Sequence, residues 1–317
     1  MSRIGRFISK YETSVYHVIS RTALPSLPIE NTDKDRLLHL IKYYSSIFFV
    51  DVLGFAIMGN HLHLVCRTYP ESEVSDEDVI ARYKIYRGED ERPLKDDLDY
   101  YRNRWTSLSE YVKDIKQEFT RYFNRKHCRR GYFWGERFKS LIVEEGHTLV
   151  NLLAYVDLNA IRAGIVKKPE DYRWCSLGYH VQSGNKDDLL DVDFGLKEWN
   201  EFDEKEIVRK YREFVYETGA ADRGQRSDLS GQFDKAGVKR GIDPKIVKQE
   251  RKNKYELTRQ DRFLYRSRYF TDAGIIGSKE FVKSMFDRFK HLLNCKPERK
   301  FTPIGGVEGG YSMKKLG

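Results

Sequence analysis

Residues 48–67 constrain the fold more than any other stretch. Phe48 to Met58 is a long apolar run, Gly59-Asn60 is a turn pair, and His61 to Arg67 is a second strand-like run. Two such runs around a Gly-Asn pair read as a tight antiparallel hairpin. The elements around it follow from periodicity. Val15 to Ser20 is rich in β-branched and aromatic residues and reads as a strand. Asp33 to Ser46 carries Leu37, Leu38, Leu40, Ile41 and Tyr44 at helical spacing. Ser107-Leu108-Ser109-Glu110 has the capping-box pattern, and the helix it opens carries Tyr111, Val112, Ile115, Phe119 and Tyr122. Phe138 to Val143 reads as a fourth strand, and Thr148 to about Asn159 as a second amphipathic helix. The order βαββαβ plus a helix predicts an α+β fold: a ferredoxin-like antiparallel sheet with helices on one face.

The spacing also divides the chain. Residues 1–180 form the predicted main domain, and 181–232 a helix (Asp203 to Thr218, closed by Gly219) and a linker. Residues 233–317 form a basic, mostly helical accessory region. Within the main domain, Glu71 to Arg104 holds eleven acidic and seven basic residues, net −4, and reads as a partly helical surface insertion. Lys239 to Arg268 holds eleven Lys or Arg against four Asp or Glu, net +7.

Over the whole chain 57 Lys and Arg stand against 48 Asp and Glu, net +9. This balance favours a polyanionic partner such as nucleic acid. Cys66, Cys128, Cys175 and Cys295 are far apart, so neither a disulfide framework nor a zinc knuckle is expected. No apolar run is long enough to span a bilayer. A cytoplasmic protein with no membrane partner is the expectation. There is no P-loop, dinucleotide fingerprint, H-E-x-x-H or nucleophile elbow.

Three groups of residues carry possible chemistry. His61 and His63 lie two apart on a strand and share a face, so they can chelate one divalent ion. Taken alone, they also fit two partly exposed strand histidines of no function. Tyr155 and Asn159 lie four apart on a helix and share a face. They fit either a nucleophile beside an amide ligand, or a core-edge tyrosine and a helix-end asparagine. An unperturbed phenol, with a pKa near 10, is a poor nucleophile at neutral pH, and a nearby cation would ease its ionisation. Arg121, Arg125, Lys126, Arg129, Arg130, Arg137 and Lys139 alternate with Tyr122, Phe123, Tyr132, Phe133, Trp134 and Phe138, against one acid, Glu136. Cations of this kind contact phosphates and aromatic faces stack on unpaired bases. A solvated basic face over core aromatics is the alternative.

Four blocks in order resemble the REP-associated tyrosine transposases, within the single-tyrosine HUH transposases. They are 16–21 (YHVISR), 58–65 (MGNHLHLV), 122–127 with 131–140 (YFNRKH, GYFWGERFKS) and 154–164 (AYVDLNAIRAG). The resemblance spans roughly residues 11–180. It implies the HUH endonuclease fold, with His61 and His63 as metal ligands, Tyr155 as nucleophile and Asn159 in the place of a third, amide ligand. It also implies Mg²⁺ or Mn²⁺ as the ion, single-stranded or hairpin DNA as partner, and basic residues of the central block on DNA. Monomer and homodimer both occur among such proteins. A domesticated, non-catalytic DNA-binding regulator and a replication or conjugation nickase of the wider HUH group are the alternatives. Two features depart from the pattern. Ala160 stands where relatives usually have Pro, which lets the tyrosine helix run further. The acidic insertion is longer than in compact members and could restrict the DNA path or mask the basic groove. The region after Gln232 is expected to add DNA affinity without chemistry.

Overall fold

The computed structural model describes residues 8–9, 11–194, 203–220, 241–256, 273–277, 279–289, 302–303 and 311–314. Four strands, β1 (Ser14–Arg21), β2 (Val50–Ile57), β3 (His61–Thr68) and β4 (Lys139–Val143), pair in the order β2-β3-β1-β4. Every pairing is antiparallel. This is the ferredoxin-like sheet that the element order predicts. The hairpin closes with the Met58 amide donating to the His61 carbonyl at 2.8 Å.

Register decides which face each side chain takes. Ile19 lies opposite His63, Arg21 opposite His61 and Lys139 opposite Ile19. Tyr16, Val18, Leu62, Leu64 and Cys66 therefore share the other face, all of them buried. That face is covered by α1 (Asn31–Ser45) and α4 (Leu108–Lys126), which meet where the Ser45 hydroxyl and the Tyr111 phenol are 2.8 Å apart. These are the two helices of the ferredoxin-like motif, on one face as expected.

The histidine face carries α5 (His147–Asp157) and α7 (Ser176–Ser183), which sit over β2. A helix layer on each side explains why β2 is apolar almost throughout rather than alternating. The Ser107 hydroxyl accepts from the Glu110 amide and caps α4. The reciprocal half of the expected capping box is not made. Glu110 pairs with Lys113 instead, at 2.7 Å.

The two ends of the sheet differ. At one end lie His61, Arg21, the start of α1, the end of α4 and the loop into β4. Here the buried Asp33 carboxylate caps α1 by accepting from the Glu30 amide at 3.0 Å and receives the Lys126 ammonium at 2.8 Å. The acidic insertion folds into α2 (Asp76–Arg87) and α3 (Leu98–Trp105) at the opposite end. Arg82 donates to the Ser46 carbonyl at 2.7 Å, and the Phe49 amide donates to that of Trp105 at 2.9 Å. The insertion therefore stands at the far end of the strands from His61, away from the basic loop.

Beyond residue 180, α8 (Glu204–Gly219) packs on α5, and α9 (Pro244–Lys252) packs on α8. A buried cluster joins them to the main sheet's helices. Arg212 donates to Glu170, to Glu250 at 2.7 Å and to the Tyr255 carbonyl at 2.7 Å. Gly219 is the last residue of α8 and does not close it with a left-handed turn. It is glycine because a Cβ there would lie 2.7 Å from Leu158 Cδ2.

The accessory region is helical in α9 and α10 (Lys279–Phe289). It also holds three short strands, β5 (Ala273–Gly277), β6 (Thr302–Pro303) and β7 (Tyr311–Lys314), in an antiparallel sheet ordered β5-β7-β6. Most of the linker expected over 220–232 lies outside the described residues, as do parts of the basic segment 239–268. Among the described residues no helix is long and apolar enough to cross a membrane.

Candidate active site

β3 begins at His61, so both histidines stand at the basic end of the sheet, His61 half-buried and His63 only 5% exposed. Their rings lie 4.9 Å apart and nearly perpendicular. Each is held from its Nδ1 side. His61 Nδ1 meets Asn60 Oδ1 at 2.7 Å, and His63 Nδ1 meets His17 Nε2 at 2.9 Å. The Asn60 contact makes Nδ1 the donor in His61. His61 then keeps the lone pair of its Nε2, the nitrogen a metal ion would take, and His63 Nε2 makes no hydrogen bond among the described residues.

Burial pulls the basicity of His61 and His17 down to about 4 and of His63 to about 2, with nearby Arg21 adding to the effect on His61. At neutral pH all three are uncharged, the form in which imidazole ligates.

α5 crosses this face and brings Tyr155 to the pair. Its ring stands edge-on to His63, centroids 6.1 Å apart, and the side chain is 39% exposed amid buried neighbours Leu153, Ala154 and Val156. The tyrosine helix ends at Asp157, and Ala160 lies in a separate single turn, α6 (Asn159–Arg162), so α5 itself does not run further for having Ala at 160. Gly164, at φ +69°, ends that turn. Asn159 folds its amide back onto the carbonyls of Val156 (3.0 Å) and Tyr155 (3.3 Å), which leaves its Oδ1 for another partner.

Two contacts were not read from the sequence. His17 stacks on His63, with centroids 5.1 Å apart. The Arg162 guanidinium lies 4.1 Å from the centre of the Tyr155 ring and donates to the Tyr155 carbonyl at 2.5 Å. Both residues fall inside the quoted sequence blocks, which was the available signal.

The tyrosine helix is fixed from behind by Asp157. This buried carboxylate accepts from the Leu177 amide at 3.1 Å and the Tyr211 hydroxyl at 2.5 Å, tying α5 to α7 and α8. Burial raises its pKa to about 6, against these hydrogen bonds.

The structure separates the seven basic candidates. Arg125, Arg130, Arg137 and Lys139 are exposed and make no ion pair among the described residues. Arg121 reaches Glu118 at 3.2 Å, and Arg129 lies over Phe123. Lys126 is engaged by Asp33, Glu30 and the Thr32 hydroxyl, so it serves the junction of α1 and α4. The loop 129–138 joins the histidine end directly. Ala23 donates to the Phe133 carbonyl at 2.8 Å and Gly135 to that of Arg21 at 3.0 Å.

Among the described residues no three His, Cys, Asp or Glu side chains form a metal-binding group. The donors that β3 brings together here are the imidazoles of His61 and His63. The chemistry fits a divalent ion: two adjacent imidazoles, both uncharged at neutral pH.

A ferredoxin-like sheet that presents two strand histidines to a helix tyrosine is the arrangement that the sequence resemblance implies. No protein-family model matches the chain, and no curated protein matches it. Among solved structures, it is similar to a REP-associated tyrosine transposase bound to a REP hairpin, at 16% identity over 61% of this chain and 90% of that one, TM-score 0.39. It is also similar to a crystal structure named "putative transposase from deinococcus radiodurans r1", at 15% identity over 50% and 96%, TM-score 0.28.

Proposed function

We propose that this protein is a transposase-type enzyme that cuts and rejoins single-stranded or hairpin DNA through Tyr155. The observation that carries the reading is the Tyr155 ring set against His63, with His61 beside it and no hydrogen bond on the Nε2 of either histidine among the described residues.

In the proposed reaction Tyr155 Oη attacks a backbone phosphorus. The bond from phosphorus to the 3′-oxygen breaks, and the protein becomes linked to the 5′-phosphate. The phenol proton passes to solvent, and the departing 3′-oxygen takes one from solvent. A 3′-hydroxyl attacking the phosphotyrosine reverses the exchange and joins strands without an energy source, because one ester replaces another. His61, His63 and Asn159 would hold Mg²⁺ or Mn²⁺, and two imidazoles lean the choice toward Mn²⁺. When bound, the ion supplies Lewis-acid stabilisation of the phosphate, worth on the order of several kcal/mol in such sites. Arg162 holds the Tyr155 ring from its face, and the exposed cations at this end of the sheet draw the DNA backbone in.

The test is a denaturing gel of the protein with labelled hairpin DNA and Mn²⁺, the hairpin being the ligand named for the first similar structure. The native chain should carry label covalently. Tyr155→Phe should carry none while binding DNA within about twofold, since only the phenol oxygen is lost. An adduct that persists in Tyr155→Phe moves the nucleophile to another of the 21 tyrosines. Binding without any adduct from the native chain leaves the non-catalytic regulator.

A further inference from the structure

The basic central block carries six aromatic rings, and the fold uses five of them. Phe123, Phe133, Trp134 and Phe138 are buried, and Tyr122 is half-buried beneath the Arg36 guanidinium. Tyr132 stands apart at 89% exposure. The loop that carries it is well fastened. Asn124 donates to the Gly131 carbonyl at 2.9 Å, the Thr22 hydroxyl to that of Phe133 at 2.9 Å, and the Trp134 indole to that of Lys116 at 3.1 Å. Gly131, at φ +94° with nothing near its missing Cβ, makes the turn that sends Tyr132 outward.

Lone exposed tyrosines are common and need no purpose. Three facts set this one apart. Its backbone is ordered from both sides. Exposed cations that make no ion pair among the described residues flank it along the chain at Arg130 and Arg137. Its loop is hydrogen-bonded to Arg21 and Ala23, at the strand end beside His61. A flat apolar face among cations suits a polyanion whose bases are free to leave their partners. A paired duplex hides those faces, so the occupant is single-stranded.

We propose that Tyr132 is a stacking platform for an unpaired base of the DNA strand led to the Tyr155 site. This rests on the DNA reading above and adds a contact that reads strandedness rather than charge.

The test uses one hairpin in two forms, blunt and with a single-stranded flank carrying 2-aminopurine, at one fixed salt concentration. Tyr132→Ala should weaken binding of the flanked form about tenfold and leave the blunt form unchanged. Tyr132→Phe should bind as the native chain does. Stacking should quench the 2-aminopurine with native and Phe proteins and not with Ala. Equal loss on both forms, no loss on either, or a Phe variant as weak as Ala overturns the platform. If the native chain forms the Tyr155 adduct while these variants bind alike, only this inference fails. If the native chain binds neither form, the DNA reading fails with it.

Discussion

His63 is held through Nδ1, and its Nε2 makes no hydrogen bond among the described residues. Its Nδ1 partner is His17, a buried ring on the neighbouring strand. We expect His17→Phe to keep the stacked ring but leave His63 Nδ1 unpaired and its tautomer unfixed. Loss of such an outer partner typically costs about 10- to 100-fold in metal affinity. Calorimetric titration with Mn²⁺ would read it, and an unchanged affinity would remove His17 from the site. His61 and His63 were legible because a strand repeats every two residues. His17 was not, because its meeting with His63 depends on the register between β1 and β3, which nothing local to either strand encodes. Arg162 was hidden for a similar reason. It lies on the turn after the Leu158 break, and only the path of that turn brings it over Tyr155.

The placement of α5 depends on a bare patch of β2. A Cβ on Gly54 would stand 2.4 Å from Leu153 Cδ2 and 2.9 Å from Ser176 Oγ. Neither neighbour yields easily. Leu153 is buried in the core, and the Ser176 hydroxyl is bonded to the Phe55 backbone in both directions. Gly54→Ala should therefore push α5 and α7 off the sheet. We expect a loss of about 1–3 kcal/mol, the usual cost of overpacking, measured by urea denaturation. Because α5 carries Tyr155, the rate of adduct formation should fall by more than DNA affinity does. A destabilised variant that cleaves at the native rate would show that the site tolerates movement of this helix. The sequence showed α5 as amphipathic, yet could not say which sheet face it would cover. Leu149 and Leu153 suit either, and only the glycine's close approach selects β2's histidine side.

For the molecule as a whole, acid is the expected weakness. Burial lowers His17, His61 and His180 to about 4 and His63 to about 2. The unfolded chain then binds more protons than the folded one below pH 6.5. Stability is full above that pH and is lost as pH falls toward 4, at about 1.4 kcal/mol per unit for each fully buried ring. Asp157, raised from 3.8 to about 6, works the other way and favours the fold below that range. Four imidazoles outweigh one carboxylate, so the urea midpoint should drop between pH 6.5 and 5. His180→Gln, away from the site, should make that drop shallower, and a midpoint flat across this range would contradict the burial of these rings. Patterning by itself determined the four strands of the main sheet, the helices α1, α4, α5 and α8, the hairpin and the shared face of His61 and His63, because alternation and helical spacing are local properties of a chain. It also separated the acidic insertion from the basic block. What it could not supply was position across the fold. Packing put the insertion at the far end of the strands, spent Lys126 on Asp33, and drew five of six central aromatics inward while leaving Tyr132 in water. Those outcomes depend on which surfaces meet, and burial of apolar area is settled only when the whole sheet and its helices have come together.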